Sequence, residues 1–323
     1  YVRLYDRRGS QPMVIGGDDV YFGTVGMASN VLDINTDQHR GALKQDLIDI
    51  IQLADVLDPP AFIDVLGTPF DFPTAVFDLL ETRELLLNTT KHFVAEAQNA
   101  VNCKKTFEMA AEVAGGMDKL VAEPFFTIIV TLTSPLHFRQ DVADLIIETS
   151  LAGMPLLIES GPMAGGTGPA SLAGTLICAN AEILNSFVLA KAVNPNVPLI
   201  YASWARTFDM RVAACCHGGP EFAMLRAATT QLAKFYGLPS SGGSTLSDSK
   251  SIDVQMGMEK MGTGLLPALA RTNMLFGMGL LADENSMSLE ALIIDSEIAR
   301  WIERVLRGID VSKATCELGV FKE

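Results

Sequence analysis

Cysteine, histidine and positive charge are all scarce in this chain, and each shortage narrows its chemistry. Five cysteines stand among 323 residues, Cys103, Cys178, Cys215, Cys216 and Cys316, and no CxxC pair occurs. Their odd number and irregular spacing argue against a disulfide framework and fit a reducing cytoplasm. The four histidines, His39, His92, His137 and His217, fall into no ligand pattern of the kind that zinc needs, so no metal is assigned. Lys and Arg total 24 against 38 Asp and Glu, a formal charge of −14. Such a surface cannot neutralise a phosphate backbone, which excludes nucleic acid as a partner, and it is compatible with a cationic substrate. No uninterrupted apolar run reaches the roughly 18–20 residues of a membrane helix, and Tyr1 opens a polar segment rather than a signal peptide. There is no GxSxG, HExxH or Walker A motif. The first residue is not Met and the closing "ELGVFKE" carries no stop signal. The chain is therefore expected to be a piece of a longer protein, cut at both ends.

Hydrophobic residues, by contrast, make up 49%, enough for a large buried core. After a Gly-, Asp- and Pro-rich lead-in over residues 1–40, read as extended or hairpin, apolar runs alternate with helical patterns. Strands are expected at 19–25, 61–67, 92–97, 125–132, 154–160, 198–205, 237–241 and 274–281. Helices are expected near 41–56, 73–87, 103–114, 138–152, 169–191, 220–235, 253–270 and 288–306. The strands are continuously apolar, as in a parallel sheet covered on both faces. Eight β-then-α units point to one TIM (β/α)8 barrel domain over 1–323, with a doubly wound sheet as the alternative.

In a barrel, function sits in the loops after the strands. Glu159 ends the fifth strand and leads into "GPMAGGTGPAS", a Gly-rich loop without the Gly-Lys-Ser/Thr ending of a nucleotide site. It reads either as an anion-attracting loop before a helix N-terminus or as a tight turn. Tyr201, Trp204 and Phe208 cluster near the end of the sixth strand, and Phe222 lies on the next helix. Such rings can enclose a quaternary ammonium by cation–π attraction, or simply pack the core. In "CCHGGPE" the paired cysteines read as small apolar groups rather than a thiolate site, whereas His217 is placed in the pocket. "SDSKSID", with Asp248, Lys250 and Asp253, reads as a helix-capping segment. Its alternative is a Schiff-base lysine, Lys250, in a barrel lyase or aldolase.

Three long blocks carry a resemblance. "PMAGGTGPASLAGTLICANAEILNSFVLAKAVNPNVPLIYASWARTFDMR", "GGPEFAMLRAATTQLAKFYGLPSSGGSTLSDSKSIDVQMGMEK" and "ENSMSLEALIIDSEIARWIERVLRGIDV" resemble the trimethylamine:corrinoid methyltransferase family. The likeness is close from Gly161 to Val311 and looser back to Gly16. It implies a barrel with additional segments at both ends. It also implies transfer of a methyl group from a methylated amine to the Co(I) of a corrinoid (cobalamin) carried by a separate cognate protein, within methylotrophic metabolism or methanogenesis.

Only the twenty standard residues occur here, which points to the branch of the family without pyrrolysine and to a betaine, glycine betaine first, as the small-molecule substrate. The resemblance implies no tightly bound cofactor, and a homo-oligomer is left open. The site expected on this basis lies at the barrel mouth. Glu159, Trp204, Phe208 and Phe222 would surround the ammonium and His217 would hold the carboxylate. Gly165 and Gly166 would meet the corrinoid. The alternatives are a pyrrolysine-type trimethylamine enzyme, the Lys250 lyase, and a non-catalytic betaine-binding protein.

Overall fold

Apolar strands that must be covered on both faces close on themselves here. A computed structural model describes residues 1–323 except 10, 27, 65–68, 318 and 320–323. Eight parallel strands form a closed barrel in chain order: β1 (Tyr21–Thr24), β2 (Phe62–Ile63), β3 (His92–Ala95), β4 (Phe126–Leu132), β5 (Leu156–Ser160), β6 (Leu199–Ser203), β7 (Ser240–Gly243) and β8 (Met274–Met278). β8 pairs back onto β1, Met274 opposite Tyr21. Helices α1 (Lys44–Val56), α2 (Phe77–Asn88), α3 (Ala100–Ala114), α4 (Met117–Ala122), α5 (Gln140–Ala152), α6 (Leu172–Val193), α7 (Pro220–Phe235), α8 (Val254–Leu269) and α9 (Leu289–Leu306) follow the strands. Every expected strand and helix is present. The seventh strand lies a few residues later than expected, because Gly237, at φ 68°, carries the chain out of α7 before β7 can start. Of the expected second strand, residues 65–67 lie outside the described residues.

The barrel interior is filled by rings. Phe62 and Phe276 meet edge to face at 4.7 Å, and Gly23 makes room for them, since a Cβ there would sit 2.2 Å from the Phe62 ring. Each such buried phenylalanine contributes about 1.5–3 kcal/mol. The lead-in forms an antiparallel hairpin, Val2–Leu4 with Met13–Ile15. It covers the N-terminal end of the barrel: Tyr5 N donates to Pro124 O, and the Tyr5 carbonyl meets His92 Nδ1 at 3.0 Å. Burial pushes the His92 imidazole down to about 4, so this histidine is a neutral packing element.

Several elements were not expected. α4 is one. Another is a small sheet on the β5–β6 side of the opposite end, in which Met163–Ala164 runs parallel to Arg206–Thr207, and Arg206–Asp209 pairs antiparallel with Ala214–Cys216. A further sheet joins Leu280–Leu281, Ser286–Met287, Asn30–Asp33 and Gln38–Gly41; its last two strands form a hairpin within the lead-in, where extended or hairpin structure was expected, and Leu280–Leu281 ends the expected eighth strand, so only their joining into one sheet is new. The short strands of the small sheet leave no periodic trace in the sequence.

α6 is 22 residues and apolar enough to cross a membrane by length and composition. Its inner face, with Ile183, Phe187 and Ala190, packs into the core. It also carries the buried Glu182, which accepts from Ser134 Oγ at 2.8 Å, Leu136 N at 2.7 Å and Ser160 Oγ.

β8 shifts register between Phe276 and Met278, so that Gly277 forms a bulge at φ 145°. The bulge turns the chain at the barrel mouth. A Cβ on Gly277 would lie 1.7 Å from the Ser244 carbonyl oxygen. Gly277→Ala should therefore destabilise the protein by at least about 2 kcal/mol in urea unfolding. Gly257→Ala, in α8 with nothing within 4 Å, should stabilise it by about 0.5–1 kcal/mol. Equal effects of the two substitutions would contradict this reading of the bulge.

Candidate active site

Each strand delivers its last side chains to one end of the barrel, and at that end the apolar pattern gives way to acid. Asp64 follows β2, Glu96 follows β3, Glu159 lies in β5, Asp248 follows β7, and Asp283 and Glu284 follow β8. Glu96 and Thr131 are exposed although they stand at or within barrel strands, so the mouth is open on the β3–β4 side. Thr131 Oγ1 donates to Glu159 Oε1 at 3.0 Å. Burial, with the Glu284 charge adding to it, pushes the Glu159 carboxyl up to about 7. Glu96 is raised in the same direction by the protein mass around it and by Glu159, although its side chain reaches solvent. Behind them the buried Glu81 of α2 is held well above the carboxylate range by burial and by Glu96, Asp64 and Asp78.

Two arginines face this acid. Arg226 of α7 is buried, donates to the carbonyls of Ser203 and Ala205, and lies 4.5 Å over the Phe222 ring. Burial, then the nearby Arg206, bring its guanidinium down to about 9. Arg206 is half-buried; Nη1 donates to the Trp204 carbonyl at 3.1 Å, while the buried Nε has no hydrogen-bond partner. Arg206 pairs with no carboxylate among the described residues.

The expected site residues converge on this end, though not all in their expected roles. Glu159 lies buried near the C-terminal end of β5. Trp204 is buried; its Nε1 donates to Glu284 Oε1. Phe222 is fully buried, packed edge-on against Trp204 at 6.2 Å and His217 at 5.4 Å. It braces those side chains from behind and does not reach the opening. Phe208 lies in the small sheet opposite Cys215, half-buried and beside Gly166. His217, 2% exposed, faces two carboxylates, Asp283 through Nδ1 and Glu284 at 3.1 Å from Nε2. An imidazole so enclosed by negative charge is a poor receptor for a substrate carboxylate.

The Gly-rich loop is a tight turn. Gly166 N and Gly168 N both donate to Met163 O, Gly165 N to Gly168 O and Met163 N to Thr167 Oγ1. Those amides serve the turn itself and leave no anion cradle. Gly165, at φ 86°, supplies the left-handed residue, and Gly166 is exposed on the rim. Asp253 caps α8, accepting from Met256 N at 2.8 Å, as the capping reading requires. Lys250 is exposed and lacks the burial by which a Schiff-base lysine is activated.

Asp64, Glu96, Arg206, Asp283 and Glu284 were not singled out from the sequence. The signal was present, for each of the acids interrupts an apolar run ("FIDV", "FVAEA", "LLADE"). An ionisable residue at the C-terminal end of a buried strand is where a barrel puts its chemistry.

The raised Glu159 carboxyl has a consequence for stability. Its folded value lies near 7, above its ordinary 4.5, so the folded state holds the proton more tightly than the unfolded state. This group's contribution to stability is then fully present below about pH 4.5 and is lost as pH rises through 7. Glu159→Gln keeps an acceptor for Thr131 and removes the charge. Its stability relative to wild type should rise by on the order of 2 kcal/mol between pH 4.5 and 8. A pH-independent difference in thermal unfolding would contradict this.

The geometry has counterparts among known proteins. The family model described as trimethylamine methyltransferase (MTTB) matches residues 2–323. The chain is 33% identical over 319 residues to a trimethylamine methyltransferase MttB of Desulfitobacterium hafniense, covering 99% of this chain and 64% of that protein. It is also 33% identical over 307 residues to a glycine betaine methyltransferase of the same species, covering 94% of this chain and 64% of the relative. It thus spans somewhat under two thirds of these relatives' length. The crystal structure of the Methanosarcina barkeri monomethylamine methyltransferase (MtmB) superposes with a TM-score of 0.57 at 13% identity, over 90% of this chain and 61% of that one, a likeness of fold. On the family match and the two relatives together, the chain belongs to the trimethylamine methyltransferase (MTTB) family.

Proposed function

We propose that the whole protein transfers a methyl group from a quaternary amine, glycine betaine or a related betaine, to the corrinoid of a cognate partner protein. The observation that carries this reading is the acidic mouth, in which Glu96, Glu159 and Glu284 lie near one another at the C-terminal end of the barrel strands. The glycine betaine methyltransferase among the relatives agrees with it. A permanent cation entering that mouth meets the exposed Glu96 first and then Glu159, a carboxyl buried in the barrel wall, where charge attraction is stronger than in water.

The corrinoid, when its carrier protein docks, supplies the cobalt nucleophile. The residues of this chain bind and orient the methyl donor and exclude water from it. The methyl carbon is approached along the C–N axis. The C–N electron pair stays with nitrogen, and a neutral tertiary amine leaves, so no proton has to be supplied. Trp204 contributes its ring from the wall of the site. The carboxylate end of the substrate falls to Arg206, the guanidinium without a carboxylate partner among the described residues, and not to His217. Gly165 and Gly166, on the rim, are the residues assigned to corrinoid contact, since the exposed Gly166 presents no side chain to a flat macrocycle. Five free thiols accord with a cytoplasmic protein.

The test uses the full-length protein with cob(I)alamin and a panel of betaines, choline and trimethylamine. Loss of the Co(I) absorbance with glycine betaine is expected. Turnover of trimethylamine with no betaine consumed would contradict the substrate assignment. Glu96→Gln and Glu159→Gln should each lower kcat/KM at least tenfold, a change of about 1.4 kcal/mol. Arg206→Ala should raise KM for glycine betaine well above its effect on choline, which lacks the carboxylate. Equal effects on the two substrates would remove Arg206 from the carboxylate site.

A further inference from the structure

Three loops at the mouth bring together donors for which methyl transfer has no use. His217 comes from the loop after β6, Asp248 from the loop after β7 and Asp283 from the loop after β8. One donor atom of each lies within 4.8 Å of the others; bonds of about 2.0–2.2 Å span at most about 4.4 Å, so an ion would need to draw these loop side chains only slightly together.

The surroundings are ordered in the same sense. His217 is 2% exposed. Its Nδ1 faces Asp283, while its buried Nε2 makes no hydrogen bond of good geometry and lies 3.1 Å from Glu284 Oε2. An imidazole bound to a metal through one nitrogen turns the other toward a carboxylate in this way, which fixes the tautomer and the ring orientation. Glu284 is itself held by Trp204 Nε1. Asp248 Oδ1 accepts from His217 N at 2.9 Å and Gly218 N at 3.1 Å, so this carboxylate is fixed before any ion arrives. Charge points the same way. Asp248, Asp283 and Glu284 surround one imidazole, and no Lys or Arg forms an ion pair with any of them among the described residues. Even an imidazolium would leave an excess of negative charge that a divalent cation balances.

We propose that His217 Nδ1, Asp248 and Asp283 bind one divalent first-row ion, Zn2+ or Mn2+, with Glu284 orienting the imidazole. One imidazole nitrogen and two carboxylate oxygens suit such ions and not a soft monovalent one. The ion clamps the loops after β6, β7 and β8 together. The site shares Glu284 with the acidic mouth, but its three ligands take no part in the methyl-transfer reading. The sequence shows no ligand motif because each loop contributes a single donor.

The test uses full-length protein stripped with EDTA, then titrated calorimetrically with Zn2+ and, separately, Mn2+. About one equivalent of one of these ions should bind and raise Tm. Asp248→Asn and Asp283→Asn should weaken binding at least about 100-fold, and Glu284→Gln about 10–100-fold at unchanged stoichiometry. Circular dichroism checks that each variant is folded, and Co2+ absorption in wild type and Glu284→Gln reports the ligand geometry directly. Absence of saturable binding of both ions overturns the proposal, as do folded Asp variants that bind like wild type. His217 would then be a side chain held between Asp283 and Glu284 and nothing more.

Discussion

Everything distinctive about this molecule follows from placing carboxylates where a barrel can least hydrate them. A closed parallel barrel is dry along most of its length, and its strands here carry Phe62, Phe93, Phe126 and Phe276 into the core. At the C-terminal end the same walls enclose Glu159, whose carboxyl is pushed up to about 7, with the exposed Glu96 beside it. A cluster so costly to ionise suits the positive charge of the proposed substrate. Loop architecture, aromatic support and the neighbouring arginines all serve to keep it in place.

That support is built in layers. Arg226 anchors the chain beyond β6 by capping the carbonyls of Ser203 and Ala205, with its planar face on Phe222. Phe222 in turn backs Trp204 and His217, and these hold Glu284. On the far side, the buried Lys260–Asp295 pair at 2.7 Å ties α8 to α9, and its two members also bind Thr245 O and Gly279 N in the loops after β7 and β8. Buried ion pairs of this kind add little net stability, but removing one partner is expensive. They therefore fix geometry, which the proposed methyl transfer requires.

The barrel was legible because its signal is redundant. Continuous runs such as "FFTIIVTL" and "MPLLIES" are too apolar for a half-exposed sheet, and each is followed by a helix with ordinary start residues. The small sheet carrying Arg206 and the bulge at Gly277 were not legible. A three-residue strand such as Ala214–Cys216 has too few positions to display alternation, and a bulge looks in sequence like any other glycine. The residues at the mouth were legible in type but not in role. Phe222 belongs to an aromatic cluster, yet only the fold shows that it lies behind Trp204. His217 stands in the right loop, but its carboxylate neighbours arrive from loops that the sequence does not bring together. Asp64, Glu96 and Glu284 were passed over because isolated acids are common, and their meaning depends on barrel closure.

The coupling between the mouth carboxylates and a bound cation can be measured without turnover. A cation at Glu96 and Glu159 must draw their carboxyls back toward the ordinary range, so binding near pH 6.5 must release protons. Calorimetry of glycine betaine binding to the full-length protein, repeated in buffers of different ionisation enthalpy, counts those protons. Net release that disappears at pH 8.5 and in the Glu159→Gln variant is the predicted result. Glycine betaine that binds with no proton release at pH 6.5 would place its ammonium away from these carboxylates and contradict the account.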